Sequence, residues 1–199
     1  MKINIRSNTD AIVKEMGRVA KKQVPYATSK AINAIAKLGE EEIKKQINSK
    51  IDNPVAYTKK STFVKYSNKN DKPISAIVGI KDKQAEYMIY LEEGGVSKAR
   101  RKNKPVPQKS FANKAGNIPR GKIARLRANK TKYFSGSPLG SGRPAGMYQR
   151  MKGGKLRQLA AWVKETRHEP RTRFGDRFRL IVDRKFDREL RKQMVAALR

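Results

Sequence analysis

From Gly94 to Lys164 the chain runs 71 residues without one Asp or Glu while carrying 19 Lys or Arg. The segment before it has 18 basic and 11 acidic residues, and the segment after it 11 and 6. Well over half of the formal net charge of +31 therefore sits in little more than a third of the length. Like charges packed this densely oppose compaction, and folded surfaces normally intersperse the two signs. Such a stretch calls for a polyanion, or for an acidic neighbouring subunit. Its first 50 or so residues are mostly Gly, Pro, Lys, Arg and Asn with little periodicity. That composition predicts a long basic loop over 96–144, mobile from Ser97 to Arg143 in the free protein, with one short helix at Lys122–Lys130.

The rest of the chain predicts one α+β domain over 1–199: N-terminal helices and a long C-terminal helix packed on an antiparallel β-sheet, with the basic loop inserted. Residues 1–52 hold the helices, after a short strand or arm at Lys2–Arg6. Asn8, Thr9 or Asp10 caps a helix with Ile12, Met16, Val19 and Ala20 on one face. Pro25 predicts a kink or a fresh start. The next helix carries Ala27, Ala31, Ala34, Ile35, Leu38, Ile43 and Ile47 and ends near Ser49. Its Ala-rich face suits packing within the fold, or a seam between subunits. Residues 53–95 hold three predicted strands: Thr62–Tyr66, Ile74–Ile80 and Ala85–Glu92, the last an almost unbroken apolar run. In 145–170, Met147–Met151 and Leu156–Val163 flank Gly153-Gly154, a hairpin signal, with Leu159, Ala161 and Val163 on one face and Trp162 on the other. A helix over Leu156–Val163 remains open. Residues 171–199 predict a helix capped by Asp176, with a stripe of Phe178, Ile181, Val182, Phe186, Leu190, Met194, Ala197 and Leu198.

Catalytic chemistry is sparse. His168 is the only histidine and there is no cysteine, which excludes a two-His metal site, thiolate ligands and a Cys nucleophile. Glu92 and Glu93 are adjacent, so on a strand they point to opposite faces and form no carboxylate pair. Gly136–Gly142 is Gly-rich but lacks the Gly-Lys-Ser/Thr ending of a P-loop. No enzyme, cofactor or metal is expected. No run of about 18 apolar residues predicts a membrane span, and no signal-peptide core opens the chain, so synthesis in the cytoplasm without export is expected. Binding chemistry is abundant instead. Lys98, Arg100, Arg101, Lys102 and Lys104 form one cluster; Arg120, Lys122, Arg125, Arg127, Lys130 and Lys132, with Lys109, continue it. Such residues contact phosphates without reading sequence. Phe111, Tyr133 and Phe134 lie among them. They either stack on single-stranded bases or, in the more ordinary role, pack the segment onto its own sheet or a neighbour.

Gln23-Val24-Pro25-Tyr26-Ala27-Thr28-Ser29-Lys30-Ala31-Ile32-Asn33 resembles the N-terminal stretch of the minor tail protein Z family of long-tailed phages. Tyr87–Gly95 (YMIYLEEGG) is similar to a strand ending in Glu-x-Gly in the wider tail-completion fold. Gly116–Ile123, Tyr133–Gly136 and Gly146–Arg150 look like segments of phage and prophage proteins of the same group. The resemblance implies a virion structural protein of the tail and neck, with no catalytic residues. Its implied partners are other copies of itself in a hexameric ring, further tail and neck proteins, and viral DNA held without sequence specificity. The insertion after Gly95 has no match in the type member. A tube through which DNA slides should not be sticky, so a strongly basic ring suits the neck, gripping the DNA end. Two rivals share parts of the pattern. An RNA-binding assembly protein of ribosomal type has the same charge and loops; a DNA-processing enzyme lacks its acids and histidines here.

Overall fold

The computed structural model describes residues 2–6, 17–100, 102–140 and 142–198. The chain is α+β and divides into two compact units, where the sequence suggested one domain with an inserted loop. Unit 1 comprises Met1–Ile51, Ala56–Glu92 and Pro170–Arg199; unit 2 comprises Asp52–Val55 and Glu93–Glu169. The expectations on residues 8–16, on the side chains of Val19, Ala20 and Leu198, and on Arg101 lie outside the described residues.

Unit 1 is built on two long helices, α1 (Gly17–Lys50) and α5 (Phe174–Leu198). They pack with a three-stranded antiparallel sheet of β1 (Lys2–Arg6), β2 (Thr62–Lys65) and β3 (Ser75–Ile80) in the order β1-β3-β2. β3 is central and reads Ala76, Val78 and Ile80 inward. Their partners in the core are Ile32, Ile35, Ile43 and Ile47 of α1 with Phe174 and Phe178 of α5. The C-terminal stripe is present, with Phe178 buried and Val182 and Phe186 packed against the core. The helix begins at Phe174, so Asp176 lies in its first turn and is not the cap. α1 carries Pro25 inside it and makes no fresh start there. Val24, Ala27 and Thr28 are all buried on either side of the proline, and that packing offsets the one backbone hydrogen bond it removes. Asn33 of α1 joins the helix to the β2–β3 connection: its Oδ1 accepts from the Ser67 backbone N–H at 2.8 Å and its Nδ2 donates to the Ser67 carbonyl at 3.0 Å.

The predicted third strand is a helix. α3 (Asp82–Glu92) follows a short α2 (Ala56–Lys59) and buries Gln84 and Met88, leaving Tyr87 and Ile89 exposed. An unbroken apolar run does not distinguish a strand from a helix. Here Asp82 in the first turn supplies a negative charge at the helix start, and the run is half-exposed.

Unit 2 is folded through the stretch expected to be a loop. A four-stranded antiparallel sheet has the order β5-β8-β7-β6, from β5 (Lys104–Pro107), β8 (Leu156–Val163), β7 (Gly146–Arg150) and β6 (Tyr133–Gly136). A two-stranded ribbon pairs β4 (Gly95–Lys98) with β9 (Glu165–His168). α4 (Lys122–Ala128) is the short basic helix read from the sequence. The β7–β8 hairpin forms as expected, with Gly153 and Gly154 at φ 70° and 71° in the turn. Its facing differs. Met147 pairs with Ala160 and Tyr148 with Gln158, so Leu159 is an extra residue on β8. That bulge carries Leu159 and Ala160 together into a core with Phe111 and Met147, and Trp162 packs onto the same cluster.

Candidate polyanion interface

Unit 2 carries 20 Lys or Arg against 4 Asp or Glu. The fold sorts these cations into two kinds. The first cluster sits on a bulge. β9 follows β8 after the single residue Lys164, whereas β4 and β5 are separated by 99–103. Lys98 pairs with Glu165 and Lys104 with Val163, so five residues stand opposite one, tied at their base by the Ala99 N–H donating to the Lys164 carbonyl at 2.7 Å. The excess chain has to leave the ribbon. Arg100 and Lys102 on it are exposed, as is Lys98 at its root.

Lys104 does not join them. Its Nζ donates to the Ser97 carbonyl at 3.0 Å and to the hydroxyls of Ser97 and Thr166. Those two hydroxyls lie 3.1 and 2.9 Å from His168 Nε2. Lys104 thus ties β5 to β4 and β9 as an internal contact, with all three ammonium donors directed inward. His168 is half-buried in this polar cluster.

The second cluster follows α4. Arg120, Arg125 and Arg127 are exposed and Lys122 is half-buried; Lys122 and Arg127 also make contacts within the unit. Lys122 Nζ donates to the Phe111 carbonyl at 3.0 Å and lies 4.2 Å from that ring's centre. The Arg127 guanidinium lies 5.6 Å from the Trp162 ring centre and donates to Ser135 Oγ at 3.3 Å; Trp162 Nε1 donates to the same oxygen at 3.1 Å. Asn129 closes the helix and shapes the next turn: its Oδ1 accepts from Thr131 Oγ1 and from the Lys132 backbone N–H. The turn holds Lys130 and Lys132 out to solvent, a side-chain device in which Asn replaces a backbone carbonyl.

The aromatic residues of the stretch pack into their own fold. Phe111 is buried, Tyr133 packs on the same cluster, and Phe134 stacks on the buried Tyr148 with ring centres 5.3 Å apart. Arg150, which sequence reasoning passed over, lies 4.8 Å from the Phe134 ring centre. No strand was expected over Tyr133–Gly136, so no sequence signal placed Arg150 beside Phe134.

Eight of the eleven predicted contact residues therefore remain exposed: Lys98, Arg100 and Lys102 on the bulge, and Arg120, Arg125, Arg127, Lys130 and Lys132 on the α4 segment. Lys104, Lys122 and Arg127 hold the unit together. Among the described residues no group of three or more His, Asp or Glu is placed to bind a metal ion, and no helix is long and apolar enough to cross a membrane. Exposed cations on folded supports can bind phosphate or carboxylate groups by charge alone. Compared with protein-family models, curated proteins and solved structures, the chain matches none of them.

Proposed function

We propose that this chain is a structural virion protein of a long-tailed phage, acting without catalysis at the head-proximal end of the tail. There it completes the tail, helps join it to the head and grips the leading DNA end, assembled as a hexameric ring. The observation that carries the DNA-contacting part is the cation-bearing bulge of 99–103 opposite the single residue Lys164. An excursion of that kind adds nothing to a ribbon's stability, and it displays charge away from the strands. The resemblance to the tail protein Z family supports the virion assignment, although Tyr87–Glu92, likened there to a strand, is helical.

The test is a variant with Lys98, Lys102, Arg125 and Lys130 changed to Ser. Exposed charges contribute little to stability, so folding should be retained. Duplex DNA affinity should fall for all sequences alike, and the log–log salt slope should flatten by as much as about 0.9 for each phosphate no longer neutralised. In the source phage, micrographs should show joined particles of low infectivity. Unjoined heads and tails with unchanged DNA binding would instead assign the bulge to an acidic neighbour. Preference of the purified monomer for folded RNA over duplex DNA would support the ribosomal-type rival.

A further inference from the structure

Unit 1 has a second basic feature, far in sequence from the acid-free stretch. The C-terminal part of α1 and the chain entering α5 enclose an open cleft of about 370 Å³. Lys45 and Lys50 line one side, Arg171, Arg173 and Arg177 the other, and Glu42 is the one carboxylate among the lining residues. Among the described residues Lys45, Lys50, Arg173 and Arg177 form no ion pair, and all four are exposed. Five cations around one opening repel one another, and flexible surface chains would ordinarily spread apart.

The backbone beneath them is pinned. The N–H groups of Arg171 and Thr172 donate to the Leu91 carbonyl at 2.7 and 2.9 Å. The Arg173 N–H donates to Oε1 of the buried Gln46 at 3.0 Å. Gln46 Nε2 in turn donates to Glu42 at 3.2 Å. One buried amide thus sets the position of both walls and occupies the acid at the rim. The first backbone N–H groups of α5 are also spoken for, since Glu92 accepts from Phe174 and Gly175. An anion in the cleft would meet lysine and arginine side chains, with no helix terminus left to bind it.

We infer that this cleft is a phosphate-binding site, taking a diphosphate-sized group or two successive phosphates of a nucleic-acid backbone. Guanidinium forks match phosphate oxygens in pairs, and ammonium groups add charge without geometric demand. A space of 370 Å³ lined by five cations exceeds what one carboxylate needs. This site is independent of the bulge and α4 cations of unit 2.

The probe is sodium pyrophosphate, titrated calorimetrically into the full chain at fixed ionic strength. Saturable binding of one equivalent is expected. Lys45→Gln with Arg177→Gln should weaken it about tenfold or more, equivalent to losing one charge-assisted hydrogen bond. A charge-matched control, Lys37→Gln with Lys59→Gln, should leave it unchanged. The inference is overturned by absence of saturable binding, or by equal weakening in both variants, which would mean general attraction to a basic protein. Duplex DNA identifies the source of the phosphate. A parallel loss of DNA affinity in the cleft variant assigns the site to a nucleic-acid backbone. Unchanged DNA affinity with pyrophosphate binding abolished assigns it to a small phosphate compound. Failure of the unit 2 variant to alter DNA binding would count against the proposed function and leave the cleft untouched.

Discussion

Glu92 is the most exacting test of how unit 1 is held together. Its carboxylate closes the N-terminus of α5 from the end of α3: Oε2 accepts from the Phe174 N–H at 2.8 Å and from Thr172 Oγ1 at 3.0 Å, and Oε1 accepts from the Gly175 N–H at 3.0 Å. No residue just before α5 supplies these contacts; the cap is more than 80 residues away in sequence. Changing Glu92 to Ala removes three accepted hydrogen bonds at once. Thr172 and Phe174 are buried, so their donors have little access to replacement water, at about 1–3 kcal/mol for each buried donor left unpaired. The half-buried Gly175 N–H can recover a water. The negative charge at the helix start disappears as well, worth about 0.3–1 kcal/mol. These contributions overlap, and the expected cost is about 3 kcal/mol, a large share of a total of roughly 5–15 kcal/mol. Glu92→Gln keeps the shape and one acceptor oxygen and should cost about half as much. Urea unfolding followed by far-UV circular dichroism is the assay, because α1 and α5 supply most of the helical signal. The only tryptophan, Trp162, lies in unit 2, so its fluorescence follows that unit separately. A destabilisation below about 1 kcal/mol for the alanine variant, or a glutamine variant as unstable as it, would refute the capping argument.

Gly39 is buried in α1, and a Cβ placed on it would lie 1.9 Å from Phe178 Cε2. Gly39→Ala, which usually stabilises a helix by up to about 1 kcal/mol, should here destabilise by about 1–3 kcal/mol. Adding Phe178→Leu should recover part of that deficit in the same unfolding assay. Lys104→Ala should lower the stability read from the Trp162 transition by about 1–3 kcal/mol, because its inward hydrogen bonds are removed, while Lys102→Ala stays within about 0.5 kcal/mol. Burial pushes the Glu40 carboxyl up, but hydrogen bonds from Lys44 and Thr62 and the charges of Lys44 and Lys81 outweigh it and hold the group below its ordinary value of 4.5. A depressed carboxylate stabilises the fold above its unfolded pKa and ceases to as pH falls through its folded value. The stability gap between the parent and Glu40→Gln should therefore be full at neutral pH and close on acidification below 4.5.

The parts of the fold that were legible in the sequence are those whose pattern repeats over many turns or carries a local turn signal. The α5 stripe from Phe178 to Met194 spans several turns, and Gly153-Gly154 marks its hairpin whatever packs on it. The Tyr87–Leu91 run misled because continuous apolarity fits both a central strand and a helix half-covered by neighbours. The 96–144 segment misled for another reason. β4, β5 and β6 are four residues each, too short to show a period, and β5 contains Pro105 and Pro107. Those prolines argue against a central strand, yet β5 is the sheet's edge, where a missing N–H is tolerated. Among the candidate contacts, composition located the charge but could not divide it. Lys102 and Lys104 are indistinguishable as letters, and only the fold leaves the first exposed and sets the second against Ser97 and Thr166. The contacts of Glu92 with α5 were invisible because they join residues some 80 positions apart.

The separation of charge into its own folded unit bears on what unit 2 requires of a partner. With 20 basic and 4 acidic residues, its native state carries repulsion that an expanded chain relieves. Added salt screens that repulsion, with a Debye length falling from about 30 Å at 0.01 M to about 10 Å at 0.1 M, so the unit alone should gain stability as salt rises. A polyanion bound to the native state stabilises it by mass action, about 2.7 kcal/mol at a hundredfold excess over Kd. That contribution declines steeply with salt, since counterion release drives the binding. The two effects of salt have opposite sign, and only the second needs the ligand. An acidic protein docking through apolar surface would keep its stabilising effect in salt that removes the effect of DNA. The bulge at 99–103 offers mainly charge and backbone, and its Arg100 and Lys102 are exposed. A surface of that composition favours the salt-sensitive partner, and for that reason a phosphate backbone is preferred here over an acidic subunit.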